Sequence, residues 1–311
     1  MQTIMTAPFR SRAVWAIVLV AIAATLPWWL SGYILGVLTV GFYFGVFAMS
    51  WDLLFGFAGE VNFGPTFLIG LGAYTAAILD AKWGAPIAVC VAAGGLVALI
   101  GGLLLAVPAL RLRGPYFGLV TLVAVLLLQN SIVIFAGVTG GEIGMMVPDV
   151  MSVDASHNYW IALAFLIVCA IMLFGLSRSA IGLILQASGQ DTIGAQALGF
   201  NVTKHKLAAF CISAVFSGVA GAMLVFYQGT ASVSTVVDIG IGVQIIIAAV
   251  LGGRRTILGA VLGSIFLIVA GEFLRPLGQI NTFVVAAVAL AVILFFPDGL
   301  LGNVLRVRER E

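Results

Sequence analysis

Long apolar runs recur along the whole chain, each closed by charges, by Gly/Pro pairs or by a short polar cluster. They fall at approximately 13–30, 33–55, 66–80, 85–109, 116–136, 158–177, 206–228, 239–252, 257–274 and 281–296. About 20 apolar residues suffice to cross a bilayer as a helix. The pattern therefore predicts an all-α integral membrane protein, a polytopic helical bundle of about ten spans. The range is eight to ten, because the runs at 66–80 and 239–252 are short or glycine-broken and also suit half-helices or re-entrant segments. The first run follows Arg10 and Arg12 and is longer than a signal-peptide core. No small-x-small cleavage site precedes a polar region, so it reads as an uncleaved span.

Composition agrees and narrows the function. Of 311 residues 62% are hydrophobic and 8% charged, with a mean hydropathy of +1.21. A soluble domain carries about 25% charged residues. Ten spans would occupy about 200 residues, which leaves no room for a soluble catalytic, nucleotide-binding or nucleic-acid module. Residues 1–311 read as a single transmembrane domain. Cys90, Cys169 and Cys211 sit in apolar stretches without pairing or metal spacing. His157 and His205 form no catalytic or metal constellation, and no HExxH, P-loop or nucleophile–His–acid set is present. The expectation is no enzyme, no metal and no cofactor.

The basic residues orient the bundle. With the N-terminus inside, Arg10, Arg12, Arg111, Arg113, Arg178, Lys204, Lys206, Arg254, Arg255, Arg306, Arg308 and Arg310 are cytoplasmic, twelve of the 14. Lys82 and Arg275 fall outside, as does the loop 137–157 with Glu142, Asp149 and Asp154. Both termini are then cytoplasmic. Glycines cluster at Gly56, Gly59, Gly64, Gly70 and Gly72, and again at Gly252, Gly253, Gly259 and Gly263. Each cluster marks a turn from an inward to an outward span. A diverged internal duplication and ordinary tight helix packing both account for them.

Two polar segments stand out. The cytoplasmic connector 178–205 is amphipathic, and Asp191 to Leu198 can form a short helix with Asp191 near its N-terminus and Gly199 as its stop. Ile193, Ala195 and Leu198 would form a small apolar face, suited either to docking another protein or to lying on the membrane surface. The segment 56–72 places Glu60 and Asn62 among Gly59, Gly64 and Pro65, where no regular helix can continue. Irregular backbone at membrane depth survives under protein or beside water, which makes these four residues pathway candidates. A solvated turn is the plain alternative. Asp52, Asp238 and Glu272 fall near predicted helix ends, where they can reach water. No acid lies clearly in mid-span with a partner, which weighs against a proton relay.

These residues also carry a resemblance. Ser50 to Gly64 (SWDLLFGFAGEVNFG) with Gly70 to Ala77 (GLGAYTAA) resembles the glycine-rich signature of Liv-type permeases, the membrane subunits of branched-chain amino-acid ABC importers. Arg111 to Phe117 (RLRGPYF), Thr139-Gly140-Gly141 with Gly144, and Ala197 to Val202 (ALGFNV) continue the match. So do Leu251-Gly252-Gly253 with Gly259 and Gly263, and Pro297 to Gly302 (PDGLLG). The RLRGPYF and TGG elements are closer to the LivM-type subunit than to the LivH-type. The resemblance implies a coupling loop of the form EAA, three residues, then Gly, docked on an ATPase. Here Ile193-Gly194-Ala195 and Gly199 keep that spacing, with Asp191 upstream and Leu198 between. The family more often has Asn, Ser and His where this chain has Asp52, Asn62 and Pro65, and Gly where it has Arg255. These departures put the solute in question rather than the architecture.

The resemblance implies a permease of the plasma membrane that moves a hydrophobic amino acid inward. Its partners would be a homologous LivH-type permease chain, two cytoplasmic ATPase subunits, an extracytoplasmic solute-binding protein and membrane lipid, with no nucleic acid. Urea, short amides and aromatic or organic acids are the alternative cargoes. A stand-alone carrier or channel, or a membrane-embedded enzyme, would need mid-membrane ionisable groups, a filter or a metal cluster.

Overall fold

Starting at Ser31, the chain of the computed structural model crosses the same slab repeatedly; residues 18, 20–112, 115–277 and 287 are described. The principal helices are α1 (Gly32–Asp52), α2 (Pro65–Trp83), α3 (Ile87–Ala109), α4 (Pro115–Ile134), α5 (Ala155–Arg178), α6 (Ala180–Gln190), α7 (Thr192–Ala197), α8 (Val202–Gln228), α9 (Ile239–Gly252) and α10 (Ile257–Phe273). A π-helical stretch, Leu53–Phe57, prolongs α1, and another, Val233–Val237, leads into α9. Counting these extensions, six helices are long and apolar enough to cross a membrane, and α10 is apolar but shorter. The chain is thus a multi-pass, mostly helical membrane protein. Most of the predicted first run and the whole of 281–296 lie outside the described residues, as do Arg10, Arg12, Arg113 and the PDGLLG motif.

Local chemistry sets the helix limits. Pro65 occupies the first turn of α2, where its missing N–H is no loss, and Gly84 ends that helix in the left-handed conformation. Asp154, Asn201 and Asp238 cap α5, α8 and α9 by accepting backbone N–H bonds from Ser156, Lys204 and Gly240.

Helices that are apolar all round should lie inside a bundle or face lipid, and both cases occur. Helix α1 is buried continuously from Gly41 to Asp52, and α8 over most of its length. Helices α3, α4 and α5 expose large apolar side chains such as Leu104, Leu127 and Ile171. Helix α8 packs on α2 and α3, while α1 packs on α5, α9 and α10, and α1 and α8 also touch. Small residues allow the closest crossings: a Cβ on Gly72 would run into the backbone of Gly218.

Loops gather at two ends, as an alternating path requires. One end holds 53–64, 178–201 and 253–256. The other holds 84–86, 135–154 and 229–238, where Met145–Met146 pairs antiparallel with Thr230–Ala231. Two expectations about acids need correction. Asp52, expected to reach water, is 1% exposed, because the 253–256 loop closes over it. Asp80, which the apolar pattern concealed, is buried at the opposite end and accepts the Asp149 N–H at 3.2 Å.

Candidate functional site

The end holding 53–64 brings both sequence-predicted segments together. Helix α1 widens into its π-turn at Leu53–Phe57, and Gly59, with φ of +73°, then turns the chain back. Glu60 accepts from Lys206 Nζ at 2.7 Å, and the two side chains are 19% and 11% exposed. Trp51 Nε1 donates to the Asn62 carbonyl at 2.6 Å, and the Asn62 side-chain oxygen accepts the Gly64 N–H at 2.8 Å. Phe63 N donates to Thr121 Oγ1 at 3.0 Å. Gly64 lies so close to α4 that a Cβ would strike the Thr121 carbonyl. The loop is therefore pinned to α1, α4 and α8. Its two polar side chains are engaged in holding irregular backbone, one of the two roles open to them from sequence, and neither presents a free group to a solute.

A second loop closes over the first. Arg255 N donates to Asp52 Oδ1 at 3.2 Å, and Arg255 Nε donates to the Gly56 carbonyl at 2.9 Å. Arg254 lies over the Phe55 ring at 4.3 Å. Arg255 has φ of +65°, a conformation that favours glycine, and glycine is what the resemblance places there. Asp52 Oδ2, Ser50 Oγ, Thr66 Oγ1 and Tyr74 Oη are buried without a hydrogen-bond partner. Sequence reasoning missed Ser50, Thr66 and Tyr74, because single hydroxyls inside apolar runs carry no local signal.

The 178–205 connector contains more structure than its composition announced. Helix α6 lays Leu185 and Ser188 inward. Its Gly189 packs against Gly59, whose Cβ would fall 3.0 Å from Gly189 Cα. Helix α7 follows at once. Asp191 caps it by accepting from Ile193 N at 3.0 Å and Gly194 N at 2.9 Å. Gly199 ends it with φ of +87°. The apolar face differs from the expected one. Ile193 and Leu198 are 80% and 78% exposed, whereas Ala195 is 4% exposed and turned into this chain. A six-residue helix offers one narrow stripe, and the inward side of α7 takes the small residue. The arrangement links an exposed apolar helix, through α6, to the loop that holds Glu60 and Asn62. Among the described residues no cluster of three metal-ligating side chains occurs.

Comparison with known proteins agrees with this arrangement. Residues 33–297 match the family described as "Branched-chain amino acid transport system / permease component". The chain is 26% identical to the high-affinity branched-chain amino acid transport system permease protein LivM of Salmonella typhimurium, over 91% of this chain and 73% of that protein. It is also 26% identical to BraD, the corresponding permease protein of Pseudomonas aeruginosa, over 86% of this chain and 94% of that protein. A shorter similarity, 30% over 47% of this chain and 44% of the relative, links it to the autoinducer 2 import system permease protein LsrC of Escherichia coli O157:H7. No solved structure gives a significant match. With a match over most of its length and the LivM and BraD similarities nearly end to end, the chain belongs to the family of branched-chain amino acid transport system permease components.

Proposed function

We propose that this chain is the transmembrane permease subunit of an ATP-binding cassette importer that carries branched-chain or other hydrophobic amino acids into the cytoplasm. It pairs with a LivH-type permease chain, two cytoplasmic ATPase subunits and an extracytoplasmic solute-binding protein. ATP hydrolysis belongs to the partners. The observation that carries the reading is α7, a self-capped helix with Ile193 and Leu198 bare, seated by α6 on the Gly59 loop. Its end of the bundle holds Arg111, Arg178, Lys204, Lys206, Arg254 and Arg255, against Lys82 and Arg275 at the other. That bias supports a cytoplasmic coupling end, with both termini inside and the whole chain in the plasma membrane. Asp191, Gly194, Ala195, Leu198 and Gly199 form the coupling segment, with Ala195 seating it from within. Gly59, Glu60, Asn62 and Gly64 brace the cytoplasmic mouth of the pathway. We read 1–311 as one domain of eight to ten spans. The touching glycine-rich turns at Gly56 and Arg255 suit an internal duplication.

The experiment is reconstitution of the four-component complex in vesicles. Leucine uptake should require the binding protein and ATP. Uptake by this chain alone on a proton or sodium gradient would replace the reading with a stand-alone carrier. The partial similarity to an autoinducer 2 permease favours, as second reading, a family member for another small solute. ATP-dependent uptake of urea, an amide or an organic acid, with none of leucine, would decide for it.

A further inference from the structure

At the end of the bundle opposite α7, helices α1, α9 and α10 enclose a cavity of about 800 Å³. That lies within the roughly 300–1,000 Å³ usual for small-molecule sites. Its walls are aliphatic, with Val37, Val40, Val243, Ile247, Leu267 and Ile268 facing the space, and Gln244 is among the few polar side chains beside them. Tyr227 is already engaged, its hydroxyl donating to the Gly36 carbonyl at 3.3 Å. Two opposite charges border the same space. Arg275 donates to Glu272 Oε1 at 2.9 Å, Tyr33 donates to that same oxygen, and Arg275 also donates to the Tyr33 oxygen at 3.3 Å. The Arg275 side chain is 69% exposed and that of Glu272 27%.

An α-amino acid carries its ammonium and carboxylate on one carbon. It therefore needs an anion and a cation side by side, with room beyond them for its side chain. An exposed i,i+3 ion pair contributes little to stability and opens at little cost. A zwitterion entering between its members gives each a replacement partner, so no charge is stranded. An amine or an acid alone satisfies one member and leaves the other unpaired. The aliphatic walls then favour an apolar side chain through the area they remove from water.

We propose that Glu272 and Arg275, at the edge of this cavity, form a reception site for a zwitterionic α-amino acid with an aliphatic side chain. The ammonium is held by Glu272, the carboxylate by Arg275, and the side chain enters between α1, α9 and α10. The site rests on the amino-acid reading above and adds to it the place where the solute is first held by this chain.

The test uses the assembled complex in vesicles, with Cys90, Cys169 and Cys211 replaced by Ala and Val243→Cys as reporter. Val243 is 47% exposed, so a thiol there can be labelled by a charged maleimide. Millimolar leucine should slow labelling, whereas isopentylamine and isocaproate, each with one of the two charges, should not. Arg275→Gln and Glu272→Gln should each raise the leucine concentration needed for protection about tenfold or more. Labelling without leucine should be unchanged in both, and Arg275→Lys should restore part of the protection. Equal protection by the amine and by leucine, or protection indifferent to Arg275→Gln, would overturn the site. ATP-driven leucine uptake is measured in the same vesicles. Uptake without protection removes the site and leaves the amino-acid reading standing. Protection without uptake keeps the site and removes the transport reading.

Discussion

Two cytoplasmic-end segments, 58–64 and 191–199, are built on opposite plans. In the first, the polar side chains turn inward to a fixed partner: Glu60 on Lys206 and Asn62 on Gly64, with Trp51 fastening the Asn62 carbonyl. In the second, the polar cap serves only the helix itself, and the apolar side chains Ile193 and Leu198 face away from the chain. A braced loop and a bare helix do different work. The loop holds a shape against the strain of broken backbone, whereas the helix offers a surface that the chain leaves uncovered. Gly59 against Gly189 joins them backbone to backbone, so displacement of α7 is delivered to the loop with no flexible side chain between.

The contrast can be broken most severely at Gly64. A side chain there meets the Thr121 carbonyl, and Gly64→Val should cost about 3 kcal/mol, read as loss of folded, monodisperse protein after solubilisation. Next comes the ion pair. Lys206→Met leaves Glu60 without its partner in a mostly covered position and should cost about 2 kcal/mol, less than the roughly 3–5 kcal/mol of a fully buried pair. The thermal midpoint of the purified complex reports it. Glu60→Gln with Lys206→Met should recover part of the loss, and uptake should recover with it, since both residues brace rather than bind. Uptake abolished in a thermally restored double variant would return Glu60 to the pathway.

Smaller effects probe the helix. Gly199 has open space where a Cβ would stand but a left-handed backbone, so Gly199→Ala should cost about 1–2 kcal/mol through conformation alone. Amide exchange over 192–199 should accelerate, while the rest of the bundle keeps its protection. The smallest stability change, within about 0.5 kcal/mol, belongs to Ile193→Glu and Leu198→Glu. Both should nonetheless lose the ATPase on co-purification. Retention of the ATPase by the pair would leave the exposed stripe of α7 without a partner. Ala195→Trp should act through the chain's own packing, lowering the thermal midpoint together with coupling.

What could be read from residues alone followed their range of action. The long apolar runs act on lipid and needed no partner, so each run within the described residues is a helix near its predicted place. Asp191 and Gly199 act on neighbours two or three residues away, and they bound α7 as their types foretell. Glu60 was visible as a polar residue in broken backbone, but its partner stands 146 positions later. Nothing near either residue announces that pairing. Asp52 looked wet because it ends a helix; the loop that dries it arrives some 200 positions on. Ala195 was placed on the wrong side because a six-residue helix presents too few positions to fix its own rotation. Its seat comes from α6 and α8.

Helix α1 has a consequence for how the protein is made. Its packing partners α5, α8, α9 and α10 all follow it in the chain, and α8 begins at Val202. At about 5–20 residues per second, α1 emerges roughly 8–30 s before α8 exists. It must wait in lipid as a lone helix, and its run from Gly32 to Met49 suits that wait, with Thr39 bonding its hydroxyl back to the Leu35 carbonyl. The groups least at home in hydrocarbon, Ser50 and Asp52, sit in its last turn, where headgroups and water can tend them until the later helices arrive. The nascent chain thus keeps its future centre in store from the outset, and the order of synthesis runs from the inside of the finished bundle outward.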